Sequence, residues 1–344
     1  MSYPIIDCHA DTFSKMLLQK KSNKLFKGFA IQPPNYLQHR DITAKRTTNA
    51  NLRIQTQSLY IGDSLLDKPL THALEIIAIA LQFIEENKDF YLLKSFDEEK
   101  FQSKYGILLS IEGLEIIENS LDLLDIFHNL GIRMIAPSWN RISKWFTPIT
   151  ESGGMLSHGK ELIDKLNTMK VLLDISHLSD QSVLDLEKHY QGTIIASHSN
   201  IRAINSSVRN LPDDLIEIIK ERNGLIGVNI YYDFLRSDRT EHQGFKFHDQ
   251  VNYNYEYELS DISDTYPIGF LWVLELLEYY DKINALDNIC FGSDFDGIHK
   301  YCAGLENPTG FPLLEDFLRK ASVSEEVIAK LFYKNALRVL KTVL

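Results

Sequence analysis

Disulfide chemistry is the first thing this sequence does without. Its cysteines, Cys8, Cys290 and Cys302, number three in 344 residues. They are too few and too unevenly spaced for a disulfide framework or a four-thiolate zinc site, so any metal must rest on histidines and carboxylates. No run of about 18 apolar residues occurs, which excludes a membrane-spanning helix. The opening MSYPIIDCHAD lacks a basic region, a long apolar core and a cleavage site, and a soluble cytoplasmic protein is expected. No Gly/Ser-rich or Pro-rich linker divides the chain, so one domain is expected over residues 1–344. Positive charge is also scarce, 36 Lys and Arg against 47 Asp and Glu for a net −11, which argues against nucleic acid or an anionic membrane as the main partner. The expected partner is a small molecule, with a homodimer as the default assembly.

What the chain does have is a structural sentence stated twice. Between Val171 and Ser199 the apolar runs VLLDIS and TIIAS each lead into a histidine, His177 and His198, with SDQSVLDLEKHY between them. Apolar runs that do not alternate suit strands buried on both faces, and parallel strands need a crossover of this length. The stretch reads as a βαβ unit with an imidazole at the carboxyl end of each strand.

The remaining strand candidates are IIDCHAD, LRIQTQSLYI, ILLSIE, IRMIAPS, LIGVNIY and NICFGSDFDG. Amphipathic stretches lie between them, such as residues 71–90 and the later PIGFLWVLELLEYYDKI. Eight strands mostly separated by helices predict a (β/α)₈ TIM-type barrel. An open doubly wound sheet is the alternative, but it usually brings a glycine-rich phosphate turn, and none follows the first strand. Residues 236–265 are polar, rich in His, Tyr and Asp, and carry no assignable pattern.

The carboxyl ends of barrel strands build the active site. Those ends supply His9, Asp11, Glu112, His177, His198 and Asp294, a nitrogen and oxygen set suited to zinc and similar divalent ions, which a carboxylate such as Glu112 could bridge. A single strand-end histidine is more often structural, but six metal-competent residues ending five strands are hard to obtain by chance. Strict alternation puts Asp7 on the face of His9 and Asp11, where it reads as a supporting hydrogen-bond partner. His39, His72, His128, His189 and His242 stand in polar or helical contexts and read as solvated. His158 and His248 remain open.

The motifs DCHAD, SIEG, DISHLS, ASHSN, VRNLPDD and GSDFDG, in this order, together with LGIRM and its following WN, and KNALRV near the carboxyl end, resemble the membrane dipeptidase (renal dipeptidase) family of zinc peptidases within the amidohydrolase superfamily. The resemblance implies two zinc ions, one held by His9, Asp11 and Glu112 and the other by Glu112, His177 and His198. It further implies a metal-bridging hydroxide, Asp294 as acid/base, Arg209 gripping the carboxylate of a dipeptide, and Tyr231 facing the substrate. At the position where mammalian members place a substrate-facing histidine this chain has Trp139, followed by Asn140, so both are expected at the substrate. The implied reaction is hydrolysis of dipeptides with a free C-terminal carboxylate, L-L and also L-D. The alternatives are another amide, lactam or N-acyl amino acid as substrate, or a barrel retained without catalysis.

Overall fold

The computed structural model describes residues 2–26, 41–235 and 266–344. His39, His242, His248, the turn-rich segment through Pro33 and Pro34, and residues 236–265 lie outside the described residues. The strands are β1 (Ile5–Asp7), β2 (Leu52–Tyr60), β3 (Phe90–Leu92), β4 (Tyr105–Glu112), β5 (Ile132–Ala136), β6 (Leu172–Asp174), β7 (Ile194–Ile195), β8 (Ile226–Val228) and β9 (Ile289–Phe291). They pair in parallel in the order β7-β6-β5-β4-β2-β1-β9-β8, with β3 beside β4 off this path. Ala196 bridges Ile226, and the Ala196 N–H donates to Leu225 O at 2.8 Å. This brings β7 to β8, so eight strands form a nearly closed barrel surrounded by helices, as the alternating pattern predicts.

Crossover helices start where local chemistry supplies a cap. Ser179 accepts from Ser182 N at the head of the helix Asp180–Glu187, and Asp213 and Asp214 fill the first turn of Asp213–Glu221, where carboxylates offset the positive end of the helix. The helical spacing read over 71–90 holds only for Pro69–Glu86. Asn87 turns the chain out, its side chain donating to Phe83 O at 2.8 Å, and Phe90 opens β3 against β4, a short strand hidden from the sequence by the helix before it.

The barrel interior changes character over its height. Its lower layer holds Ile6, Ile54, Leu108, Met134, Leu172, Ile195, Leu225 and Cys290, at least one residue from each barrel strand or its immediate flank, closed from below by Ala336, Val339 and Leu340. Side chains two apart share a face. From Leu108 that face runs up through Ser110 to Glu112, from Leu172 to Asp174, from Ile195 to Ser197, and from Cys290 through Gly292 to Asp294. The apolar base therefore gives way to polar groups within one or two steps.

Strict alternation fails at β1. Cys8 packs with Ile6 in the interior cluster, and the strand pattern ends at Asp7, whose carboxylate accepts from Gln55 Nε2 at 2.9 Å, Ser293 N at 2.8 Å and His9 N at 3.4 Å. The chain turns after Asp7, which is how His9 and Asp11 reach the mouth while Asp7 stays below as a bonding partner.

Gly227 and Gly292 face the carbonyl oxygen of Ser197 so closely that a Cβ on either would run into it. Replacing Gly292 by alanine must displace that backbone, so Gly292→Ala is expected to lower stability by about 3 kcal/mol. In urea the transition midpoint should fall with an unchanged slope, and a wild-type midpoint would contradict the packing described.

Candidate metal centre

Glu112 ends β4 with its carboxylate buried, and its two oxygens face different groups. Oε2 lies 3.6 Å from His9 Nε2, whereas Oε1 lies 2.9 Å from His177 Nε2 and 3.8 Å from His198 Nε2. His9 Nε2 is also 3.5 Å from Asp11 Oδ2 and 3.9 Å from Asp294 Oδ1. All six residues read from strand ends thus meet in one place.

Protons do not satisfy this arrangement. His177 Nε2 faces Glu112 Oε1, which only accepts, Arg209 Nη2 at 3.1 Å, which only donates, and His198 Nε2 at 2.9 Å. His9 Nε2 and Asp11 Oδ1 are buried without a hydrogen-bond partner. Among the described residues, groups of ligand atoms within 4.8 Å of one another form twice, from His9, Glu112 and His198 and from His9, Asp11 and Asp294. Ligands about 2.1 Å from one tetrahedral ion lie about 3.4 Å apart, in the middle of the separations found here. The residues fit divalent cations. Gly297 leaves the room they need, since a Cβ there would press on Asp11 Oδ2 and Asp294 Oδ1.

The electrostatics tell the same story. Burial disfavours the charged form of His9, but the carboxylates of Glu112, Asp11 and Asp294 outweigh it and lift its pKa to about 10. Burial likewise opposes ionisation of Glu112, yet His9, His177 and Arg209 hold it ionised, with a pKa near 2. Burial and the charge on Glu112 raise Asp11 to about 7, and burial raises Asp294 against the pull of His9. Burial and Arg209 lower His177 to about 4, and burial with His9 lowers His198 well below its ordinary value, so both stay neutral and keep a lone pair. Backbone strain marks the same place: Asp294 has φ 64° and Asp296 has φ 67°, the left-handed region that non-glycine residues rarely enter.

The residues named for substrate differ in placement. Asn140 Oδ1 accepts from His177 Nδ1 at 2.8 Å. It therefore supports that imidazole from behind, directing Nε2 inward, in addition to lining the cavity. Trp139 forms a wall, its ring 5.0 Å from Tyr60 and 6.0 Å from His177, with the Arg141 guanidinium 4.7 Å over it. Arg141 is in turn held by Asp63 at 2.5 Å and Glu115 at 3.3 Å. Arg209 lies at the floor, donating to Ser176 O and lying over Phe234 at 5.6 Å. Tyr231 stands at the rim against Phe234 and His299. Together these line a cavity of about 820 Å³.

Several participants escaped the sequence reading. Asn229 donates to Asp294 Oδ2 at 3.1 Å, and its signal was a polar residue inside the apolar LIGVNIY. Tyr60, Arg141 and His299 had no signal beyond their neighbours. His72, read as solvated, is buried and pairs with Glu75 at 2.8 Å, because the amphipathic helix carrying it turns that face inward. His189 and His158 are exposed and His128 is half-buried.

A parallel barrel with imidazoles and carboxylates converging at its carboxyl mouth defines a metal-dependent hydrolase class. Residues 1–344 match the family model described as membrane dipeptidase (peptidase family M19), and the chain belongs to that family. It is 30% identical over 246 residues to an uncharacterized protein in the pqqA 5′ region of Klebsiella pneumoniae, covering 69% of this chain and 82% of that one. It is 23% identical to human Dipeptidase 3, covering 99% of this chain and 65% of the relative. An uncharacterized protein of Acinetobacter calcoaceticus is 33% identical over 176 residues, 48% of this chain, and the match spans 56% of its length. Among solved structures, a metallo peptidase from Rhodobacter sphaeroides, liganded with a phosphinate mimic of the dipeptide L-Ala-D-Ala, superposes with a TM-score of 0.80 at 21% identity, covering 100% of both chains. Among the described residues no helix is long and apolar enough to cross a membrane.

Since Asn140 fixes the His177 ring, Asn140→Ala is expected to weaken zinc binding by about 10–100-fold in competition with a chromophoric chelator, and Asn140→Asp to retain most of it. Equal affinity in Asn140→Ala and wild type would remove this role.

Proposed function

We propose that this chain is a zinc-dependent dipeptidase, hydrolysing dipeptides with a free C-terminal carboxylate and tolerating an L- or D-residue on that side. The observation that carries the reading is the division of Glu112, one oxygen toward His9 and the other toward His177 and His198, in a chain of the membrane dipeptidase family. The phosphinate mimic of L-Ala-D-Ala bound by the Rhodobacter sphaeroides relative supports the substrate class. The reading takes residues 1–344 as one hydrolase domain working in the cytoplasm.

His9, Asp11 and Glu112 would hold one ion, and Glu112, His177 and His198 the second. When bound, the ions would supply Lewis acidity for the scissile carbonyl and would make a water nucleophile more acidic. The protein's own groups do the rest. Asp294 holds Oδ2 against Asn229 and turns Oδ1 toward the ligand cluster. From that position it can take a proton from the nucleophile and return it to the departing amine. Arg209 offers a planar fork to the substrate carboxylate. Trp139, braced by Arg141, excludes water on one side and can donate one hydrogen bond through its indole N–H. Tyr231 closes the opposite rim.

The test is a dipeptide panel with metal analysis. Two zinc ions per chain and turnover of dipeptides over N-acyl analogues are expected. His177→Ala should lose at least about a hundredfold in kcat/KM. Asp294→Asn should lower kcat by about 10²–10⁴-fold. Arg209→Ala should raise KM for dipeptides but spare their C-terminal amides. Failure of both native and zinc-reconstituted protein on every dipeptide, or full turnover by His177→Ala, would overturn the reading; preference for N-acyl substrates would move it to another amidohydrolase.

A further inference from the structure

We propose that Ser197, held by Asp174, is a positioning residue that sets which ring nitrogen of His198 faces Glu112. The proposal rests on the metal-centre reading above and extends it to a residue two layers from the reacting atoms.

The serine is held on several sides. Its N–H donates to Asp174 Oδ1 at 2.9 Å, its hydroxyl donates to Asp174 Oδ2, and its carbonyl rests against Gly227 and Gly292. Asp174 Oδ1 also accepts from Ser176 N at 3.0 Å and Ser176 Oγ at 2.6 Å. Four donors converge on that carboxylate, so both its oxygens act as acceptors. A hydroxyl has one hydrogen and two lone pairs. With the hydrogen spent on Asp174, Ser197 Oγ presents lone pairs to His198 Nδ1 at 2.7 Å. The ring must supply the hydrogen there, which leaves the lone pair of Nε2 directed at Glu112 and His177. The same oxygen lies 3.4 Å from His9 Nδ1, a longer contact to the other half of the centre. One hydroxyl thus touches an imidazole on each side of Glu112.

The fold contains a matching clamp that lacks this contact. Ser293, on the chain just before Asp294, donates its N–H to Asp7 Oδ1 at 2.8 Å and its hydroxyl to Asp7 Oδ2. The pattern of atoms is the same, but the other acceptor near the Ser293 hydroxyl is the His9 carbonyl at 3.3 Å, a weaker second acceptor for its one hydrogen and not a ring nitrogen. Loss of a serine–aspartate clamp can therefore be separated from loss of ring orientation.

The experiment uses full-length protein labelled with ¹⁵N-histidine, stripped of metal, and read by long-range ¹H–¹⁵N correlation. Wild type should show His198 protonated on Nδ1. Ser197→Ala should shift His198 toward the Nε2-protonated form, Ser197→Thr should restore it, and Ser293→Ala should leave it unchanged despite a comparable loss of thermal stability. In parallel, zinc competition should show Ser197→Ala binding about 10–100-fold more weakly, with Ser197→Thr close to wild type. An Nε2-protonated His198 in wild type, or an unchanged His198 in folded Ser197→Ala, would overturn the proposal. Should Ser197→Ala not fold, Asp174→Asn provides the same readout, because it frees the serine hydrogen to turn toward His198. If wild type binds no zinc, the metal-centre reading fails, while the ring assignment still decides the role of Ser197.

Discussion

Burying Glu112 is the demand that the upper half of this barrel is arranged to meet. A carboxylate with 5% exposure must be matched by positive charge and by donors, or it would take up a proton. His9 approaches one oxygen, His177 and His198 the other, and Arg209 stands behind them. Asp11 and Asp294 then add negative charge that protein cations do not balance. The result is a pocket in which two neutral imidazoles, a protonated His9 and raised carboxyl groups crowd around the ionised Glu112, an environment that suits a dication better than protons.

Much of this was legible in the sequence because strand ends in a parallel barrel are a geometric address. An apolar run followed by His177 or His198, or ILLSIE with Glu112 at its end, states both the strand and the place of its last side chain. Eight strands could be counted, and the six residues at their ends do meet. What could not be read were relations between side chains on different strands. Asn140 belongs to a loop, and nothing local says that its amide lies behind His177. Asn229 and Ser197 announced themselves only as polar residues in apolar runs. Alternation misled at β1 because the bend after Asp7 depends on bonds to Gln55 and Ser293, both distant in sequence. Phe90–Leu92 was missed because the helical period before it runs almost to its first residue.

Support around the centre follows one economy throughout. Groups that face the cavity are each fixed from behind by a neutral or oppositely charged partner: His177 by Asn140, Asp294 by Asn229, Trp139 by Arg141 and its acids. Neutral partners orient a ring or carboxylate without adding charge to a crowded site. Where Arg141 braces the aromatic wall of Trp139, its own carboxylates are partly exposed and the electrostatic cost is small.

The unequal strand lengths divide the molecule in a way that its cooperativity should register. β2 and β4 are nine and eight residues long and share an unbroken seven-pair register. β6 to β9 have three, two, three and three residues. His177, His198, Asn229 and Asp294 all lie beyond those short ladders, so side-chain bonds replace backbone pairing there. Amide hydrogens across β6 to β9 should therefore exchange through smaller openings than those of β2 and β4. A cation gripping both halves would raise protection mainly on the short side, linking ligand occupancy to the least cooperative arc of the barrel.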